Sequence, residues 1–122
     1  MVLCSGKVAY DAIGRRDSIA DAGCPASRTA VVRVEQLYPW PAEPLAEVLE
    51  RYPGASEVVW LQEEPENMGG WTFVHGRLHH LLPDGVRLRA VARAPSGSPA
   101  TGSAALHALE TRDLLDRTFP AL

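Results

Sequence analysis

Stretches with the pattern of a buried strand alternate four times with stretches of helical periodicity, and this alternation constrains the fold more than any other feature. Short apolar runs, often rich in β-branched residues, predict the strands. Strands and helices in regular succession form parallel crossover units, which place helices on both faces of one sheet. We therefore predict an α/β fold, a three-layer sandwich with a mostly parallel sheet. The predicted strands are 2–4, 29–34, 57–62 and 86–92, and the predicted helices are 7–20, 42–52, one that begins at Gly69-Gly70, and 104–117.

The second helix has the clearest periodicity, since Leu45, Val48, Leu49 and Tyr52 recur at helical spacing and are expected to face the core. The last strand, 86–92, alternates apolar residues with arginines, which predicts that one of its faces is exposed to solvent.

Length and charge exclude several classes of protein. With 122 residues, 46% of them hydrophobic and 22% charged, the chain has the size and composition of one globular domain, which we assign to 1–122. The formal net charge of -3 argues against nucleic-acid binding, which needs a basic face. No apolar run approaches the roughly 20 residues that a membrane helix requires. We expect neither nucleic acid nor a membrane as a partner.

The sequence contains two cysteines, Cys4 and Cys24, which lie far apart in the chain. This pattern predicts two reduced thiols in a cytoplasmic protein. Cys4 lies in an apolar run and is expected to be buried, whereas Cys24 lies beside Gly23 and Pro25 in a loop and is expected to be more exposed.

The turn between the first strand and the first helix is suited to an anion. Ser5, Gly6 and Lys7 stand where free backbone amides and the positive end of the helix dipole meet, and they add a hydroxyl and a charge. The turn lacks the longer glycine-rich run of a phosphate loop and the three glycines of a dinucleotide fingerprint. The alternative is a tight turn that simply requires small residues.

The acidic pair Glu63-Glu64 does not predict acid–base catalysis. Adjacent residues of a strand point to opposite faces, so the two carboxylates cannot readily flank one substrate atom. We expect one of them to hold the backbone amides that begin the helix at Gly69-Gly70.

Three histidines lie on that helix, and His75 and His79 share a face at the i, i+4 spacing of zinc hydrolases. The residues between them offer neither a glutamate nor a third ligand, and the sequence assigns no role to His75, His79 or His80. We predict no catalytic residues and no metal site.

Longer motifs carry a resemblance to a known family. The runs 33–41 (RVEQLYPWP) and 59–71 (VWLQEEPENMGGW), together with 3–8 and 94–103, are similar to the C-terminal domain of the thiamine-diphosphate-dependent first component of 2-oxoglutarate dehydrogenase. The motifs occur in the same order as in that family, and they cover nearly the whole chain. The run 33–41 alone also fits the wider transketolase-like group. The resemblance places alanine where this chain has Gly70, a change expected to loosen the helix start slightly.

The resemblance implies a fold like that of the transketolase C-terminal domain. It implies a parent enzyme that decarboxylates 2-oxoglutarate oxidatively and transfers the succinyl group to lipoamide in the tricarboxylic acid cycle, with thiamine diphosphate and magnesium held by other domains. This segment would bind no cofactor and be inactive alone. Its implied partners are the remainder of the dehydrogenase chain, a second copy in a homodimer, and the dihydrolipoyl succinyltransferase component.

The resemblance also implies an effector, acetyl-CoA or AMP, which fits the turn at residues 5–7 together with Arg33 on the next strand. The alternative is that Arg33 pairs with a carboxylate such as Glu35 or Glu57. Two other functions remain open: the same domain of another thiamine-diphosphate enzyme, of transketolase or pyruvate dehydrogenase type, and a free-standing anion-binding regulatory module.

Five aromatic residues suggest an exposed apolar surface, which usually marks an interface. We expect self-association, or binding to the remainder of the enzyme. The aromatic residues are Tyr38, Trp40, Trp60, Trp71 and Phe73.

Overall fold

The computed structural model describes residues 1–120, so positions 121 and 122 of the predicted domain lie outside the described residues. Four strands and four helices alternate in the predicted order, and their ends differ from the predicted ones by a few residues. A short 3₁₀ helix, Pro25–Arg28, lies in the loop after the first helix. The elements are β1 Val2–Cys4, α1 Val8–Asp21, β2 Val31–Arg33, α2 Ala42–Glu50, β3 Glu57–Pro65, α3 Trp71–Leu81, β4 Arg87–Arg93 and α4 Ala104–Thr118.

The strands form one sheet in the order β2-β1-β3-β4, and all neighbouring strands are parallel. β1 is central, and its last residue, Cys4, lies opposite Arg33 of β2 and Leu61 of β3. This arrangement confirms the predicted α/β fold. None of the helices formed by the described residues combines the length and apolarity that crossing a membrane requires.

Helices cover both faces of the sheet. On one face, residues of α1 and α4 such as Val8 and Leu114 pack against Val2 and Cys4. On the other face, α2 and α3 pack against Leu3 and its neighbours. β1 is therefore buried on both sides, with successive side chains pointing to opposite layers. Each fully buried aliphatic side chain contributes about 1.5–3 kcal/mol relative to an exposed one, so both layers stabilise the sheet.

Several expected details of the elements are wrong. β3 continues to Pro65, past a register shift against β4 between Leu61 and Pro65, so the acidic pair lies within the strand. Tyr52 does not face the core: α2 ends at Glu50, because a residue that precedes proline is disfavoured in helical conformation, and Tyr52 is 46% exposed. In β4 the alternation is lost, since its arginine at position 89 is partly buried.

The expected aromatic surface is also wrong for four of its five residues. Trp60 is buried in the core, and Trp40, Trp71 and Phe73 are partly buried, with the rings of Trp40 and Phe73 packed edge to face at 6.3 Å. Tyr38 alone of the five is largely exposed, at 82%. The indoles therefore stabilise the core of this chain instead of forming an open patch.

We expect one thiol per native chain to react quickly with Ellman's reagent. Burial, aided by the Glu35 carboxylate, raises the pKa of Cys4 to about 11, whereas Cys24 is only partly buried. Little Cys4 thiolate is present at mildly alkaline pH, and its sulfur is shielded. The second thiol should react only in denaturant, and Cys24→Ser should abolish the fast reaction. Equal rates for both thiols in the native protein would contradict this expectation.

Candidate functional site

The order of the strands reverses at the carboxyl edge of the sheet. From β1 the chain leads to β2 on one side, and from β2 it passes over β1 to β3 on the other side. In parallel α/β sheets, ligands bind outside the carboxyl ends of the strands where the order reverses in this way. The loop after β1, which contains the turn at residues 5–7, lies at this point.

The turn owes its shape to Gly6. The backbone φ of Gly6 is +77°, in the left-handed region that glycine adopts without strain, and no atom lies within 4 Å of the place where a Cβ would be. Glycine is therefore required at position 6 because of the backbone conformation, and not because a side chain would lack space. The Gly6 carbonyl accepts a hydrogen bond from the Ala9 amide, and α1 begins at Val8. The turn has the predicted strand-to-helix geometry.

A carboxylate of this chain, that of Glu35, binds the groups predicted for an anion. Its Oε1 accepts a hydrogen bond from the Gly6 amide at 3.3 Å and another from Arg33 Nε at 3.0 Å. The Arg33 guanidinium also lies over the Tyr10 ring, 5.0 Å from its centre. The alternative pairing of Arg33 with Glu35 is thus confirmed. Glu57 lies at the opposite edge of the sheet, where it binds arginines of β4.

The charge of Lys7 is also balanced within the chain. Its Nζ lies 2.8 Å from the Asp11 carboxylate, one helical turn further along α1. This hydrogen bond raises the pKa of Lys7 above its usual value, and the carboxylate of Glu63 on β3 acts in the same direction. Ser5 is partly buried beside it. The structure therefore brings Ser5, Gly6, Lys7 and Arg33 to one edge, and their role toward an effector stays a prediction.

A buried glutamine, which no motif of the sequence marks, organises the loop between β3 and α3 at the same edge. Gln62 is 3% exposed. Its Oε1 accepts hydrogen bonds from Trp60 Nε1 at 3.0 Å and from the Trp71 amide at 2.9 Å. Its Nε2 donates to the carbonyls of Pro65 at 2.9 Å and Met68 at 2.8 Å. The expectation that a glutamate holds the first amides of α3 is therefore wrong, because the buried amide side chain does so.

The loop between β3 and α3 is tied to the loop that follows β4. The Asn67 side chain donates to the Ser96 carbonyl and accepts from the Ser96 amide, both at 3.0 Å. Arg93 donates to the Glu63 carbonyl at 2.7 Å and lies 3.3 Å from the Glu110 carboxylate of α4. These bonds hold two neighbouring loops of the carboxyl edge in one arrangement.

Gly70 allows the close approach of an aromatic ring. A Cβ at this position would lie 2.8 Å from Cζ2 of Trp60, which is fully buried. The expected slight loosening of the start of α3 stays a prediction, and the structure adds that an alanine here would require the indole to move.

The three histidines of α3 are exposed. The His75 ring lies 4.8 Å from that of Trp71, and the rings of His79 and His80 are 6.1 Å apart. Within residues 1–120, no three histidine, cysteine or acidic side chains gather closely enough to hold a metal ion.

The fold and the edge just described define a doubly wound parallel α/β domain whose carboxyl-edge polar groups mainly bind one another. The chain belongs to the 2-oxoglutarate dehydrogenase C-terminal family, whose model matches residues 1–119. The family named from the motifs is therefore confirmed.

Similar proteins are much longer than this chain. The 2-oxoglutarate dehydrogenase E1 component of Cupriavidus necator is 41% identical over 122 residues, which are all of this chain and 12% of that protein. The 2-oxoadipate dehydrogenase complex component E1 of Xenopus laevis is 38% identical over 98% of this chain and 12% of its own length. The multifunctional 2-oxoglutarate metabolism enzyme of Mycobacterium sp. (strain JLS) is 36% identical over 98% of this chain and 9% of its own. The chain thus spans about an eighth of the length of such relatives.

Replacing Gln62 by leucine should lower the free energy of unfolding by about 2–5 kcal/mol, because the Trp60 indole, the Trp71 amide and three loop carbonyls lose their partner. Urea unfolding followed by tryptophan fluorescence measures the change. The matched control is Gln36→Leu at an exposed position, which should change stability by no more than about 0.5 kcal/mol. Equal effects of the two substitutions would show that the Gln62 hydrogen bonds do not hold the edge together.

Proposed function

We propose that the chain serves as the C-terminal domain of a 2-oxoglutarate dehydrogenase E1 component, completing the enzyme's structure without supplying its reacting groups. The observation that carries this proposal is the family match over residues 1–119 in a chain that spans about an eighth of its E1 relatives. The parent enzyme would carry out the oxidative decarboxylation of 2-oxoglutarate and the transfer of the succinyl group to lipoamide.

The cofactor of the parent enzyme does not fit the residues described in this chain. Thiamine diphosphate is held through a magnesium ion, which needs clustered oxygen ligands. Among residues 1–120, the acidic side chains form no such cluster, and three of those near the carboxyl edge, Asp11, Glu35 and Glu110, bind cations of the chain itself. We propose that the remainder of the parent enzyme holds the cofactor.

The proposed partners follow from the same role. They are the remainder of the dehydrogenase chain, a second copy in a homodimer, and the dihydrolipoyl succinyltransferase component of the complex. A cytoplasmic location is supported by the two free cysteines. Because relatives named for 2-oxoglutarate and for 2-oxoadipate both match, we infer that this domain does not select the oxo acid.

A chimeric enzyme tests the proposed function. In the E1 component of Cupriavidus necator, the matching segment is replaced by this chain, and carbon dioxide release from 2-oxoglutarate is measured with thiamine diphosphate and magnesium. We expect the chimera to be active, the enzyme lacking the segment to lose most activity, and the isolated chain to show no turnover. Turnover by the isolated chain, or full activity without the segment, would contradict the proposal.

We further propose that the turn at residues 5–7 and Arg33 bind the phosphates of an effector, acetyl-CoA or AMP. The position at the reversal of strand order, the amides at the start of α1 and a guanidinium suited to bidentate phosphate binding support this role. An arriving phosphate would displace the Glu35 carboxylate from the Gly6 amide and from Arg33.

Titration of the active chimera with acetyl-CoA and with AMP tests this site. Lys7→Ala and Arg33→Ala should each weaken the effector response at least about threefold, because each removes a cation from the phosphates. Glu35→Gln should strengthen the response, since it removes a competing charge. Arg112→Ala, at an exposed position of α4, is the control. Unchanged responses in all three variants would show that the turn is purely architectural.

A further inference from the structure

At the amino end of the sheet, β3 reaches further than the central strand β1. Val2, the first residue of β1, lies opposite Val59 of β3. β3 begins two residues earlier, at Glu57, where it is already paired with Arg87 of β4. A residue before position 1, continuing in the same register, would therefore lie beside a strand that is already formed.

The backbone hydrogen bonds at this end alternate between the two neighbours of β1, as in a parallel ladder. The Met1 amine donates to the Glu57 carbonyl of β3 at 2.8 Å, and the Met1 carbonyl accepts from the Val59 amide at 2.9 Å. The Val2 amide donates to the Ala30 carbonyl, on the β2 side, at 2.8 Å. The next residue toward the amino end would therefore bond to the β2 side.

The Ala30 amide is the group that such a residue would meet. In the register of β1 and β2, the carbonyl of a residue before position 1 lies opposite this N–H. Within residues 1–120, the Ala30 N–H donates no hydrogen bond, although the Ala30 carbonyl is already bonded to β1. Backbone N–H groups in folded proteins are paired almost without exception, so this amide is suited to a further acceptor.

A cavity of about 390 Å³ lies where β1 would continue. Its walls come from the residues that lead into β2 and β3 and from the loop after α2. They offer backbone groups, hydroxyls and a guanidinium, which suit the polar backbone of an extended segment. The lining residues include Met1, Arg28, Thr29, Ala30, Ser56 and Glu57.

The Met1 ammonium lies in an unfavourable place for a charge. It is partly buried, and this burial lowers the pKa of the amine, with the Arg89 guanidinium acting in the same direction. A peptide bond at this position would keep the N–H that binds the Glu57 carbonyl and would remove the charge. Continuation of the chain therefore relieves a cost of burial.

We propose that the segment leading into this domain in the parent enzyme fills the cavity and lengthens β1, with the carbonyl of its last residue bonded to the Ala30 amide. This inference rests on the proposed function, in which the chain is one domain of a longer E1 chain. The domain would then be joined to the remainder of the enzyme through its central strand. Its orientation would be fixed by the sheet, which a flexible linker could not do.

Extended forms of the chain test the proposal. In one form, Met1 is preceded by the residues that immediately precede the matching segment in the E1 component of Cupriavidus necator. The matched control has the same length, with prolines at the two positions next to Met1, because proline lacks the N–H that a central strand requires. Both forms replace the ammonium by a peptide bond, so the removal of its charge cannot explain a difference between them.

Hydrogen exchange of the Ala30 amide and urea unfolding are measured in each form. With the E1 segment, the Ala30 amide should exchange at least about ten-fold more slowly than in the chain without an extension. The equilibrium constant of unfolding should fall about ten-fold, as one or two added hydrogen bonds would produce. The proline form should gain much less. In the variant Ala30→Pro, which lacks the N–H, the E1 segment should likewise give a much smaller gain in stability.

Fast exchange of the Ala30 amide with the E1 segment present, an amide already protected without it, or equal stabilisation by both extensions would each overturn the proposal. The chimeric enzyme would remain active in any of these cases if only the path of the segment is wrong. An inactive chimera would instead refute the proposed function itself.

Discussion

The side-chain amide of Gln62 determines how the carboxyl edge of the sheet is built. It is buried, its oxygen accepts two hydrogen bonds and its nitrogen donates to three carbonyls, so the cost of burying it is offset. Its bonds join the Trp60 indole to the first amide of α3 and bend the intervening loop back toward β3. Asn67 in that loop can then reach Ser96 in the next loop. This single residue therefore fixes the loop between β3 and α3 at the carboxyl edge.

Around the turn at residues 5–7, the same edge is stabilised by pairing of opposite charges within the chain. Lys7 and Arg33 stand where an anion would bind, yet each is paired with a carboxylate of this chain. In the proposed effector site, a phosphate would displace Glu35 from the Gly6 amide and from Arg33, and would compete with Asp11 for Lys7. The family match over residues 1–119 agrees with a domain that completes a larger enzyme, whereas its response to an effector stays a proposal.

The fold could be predicted from the sequence, because it follows from the periodicity of the apolar residues and from the right-handed crossover connections of parallel strands. The neighbouring positions of the turn and Arg33 follow from the parallel sheet, in which carboxyl ends meet at one edge. Gln62 could not be found in this way, since a polar residue after an apolar run resembles the end of a strand, and its burial depends on the loop and the start of α3 that fold back over it. The sequence leaves the partner of Arg33 open between Glu35 and Glu57, because the choice depends on which carboxylate lies at the same edge of the sheet as Arg33.

Hydrogen exchange of two N–H groups tests most directly whether the Gln62 side chain holds the carboxyl edge. These are the Trp71 backbone amide and the Trp60 indole, which both donate to Gln62. If the account is correct, nuclear magnetic resonance should show both exchanging only through global unfolding, as slowly as the amides of β1. Exchange of the Trp71 amide at the rate of an open loop, while β1 stays protected, would contradict the account.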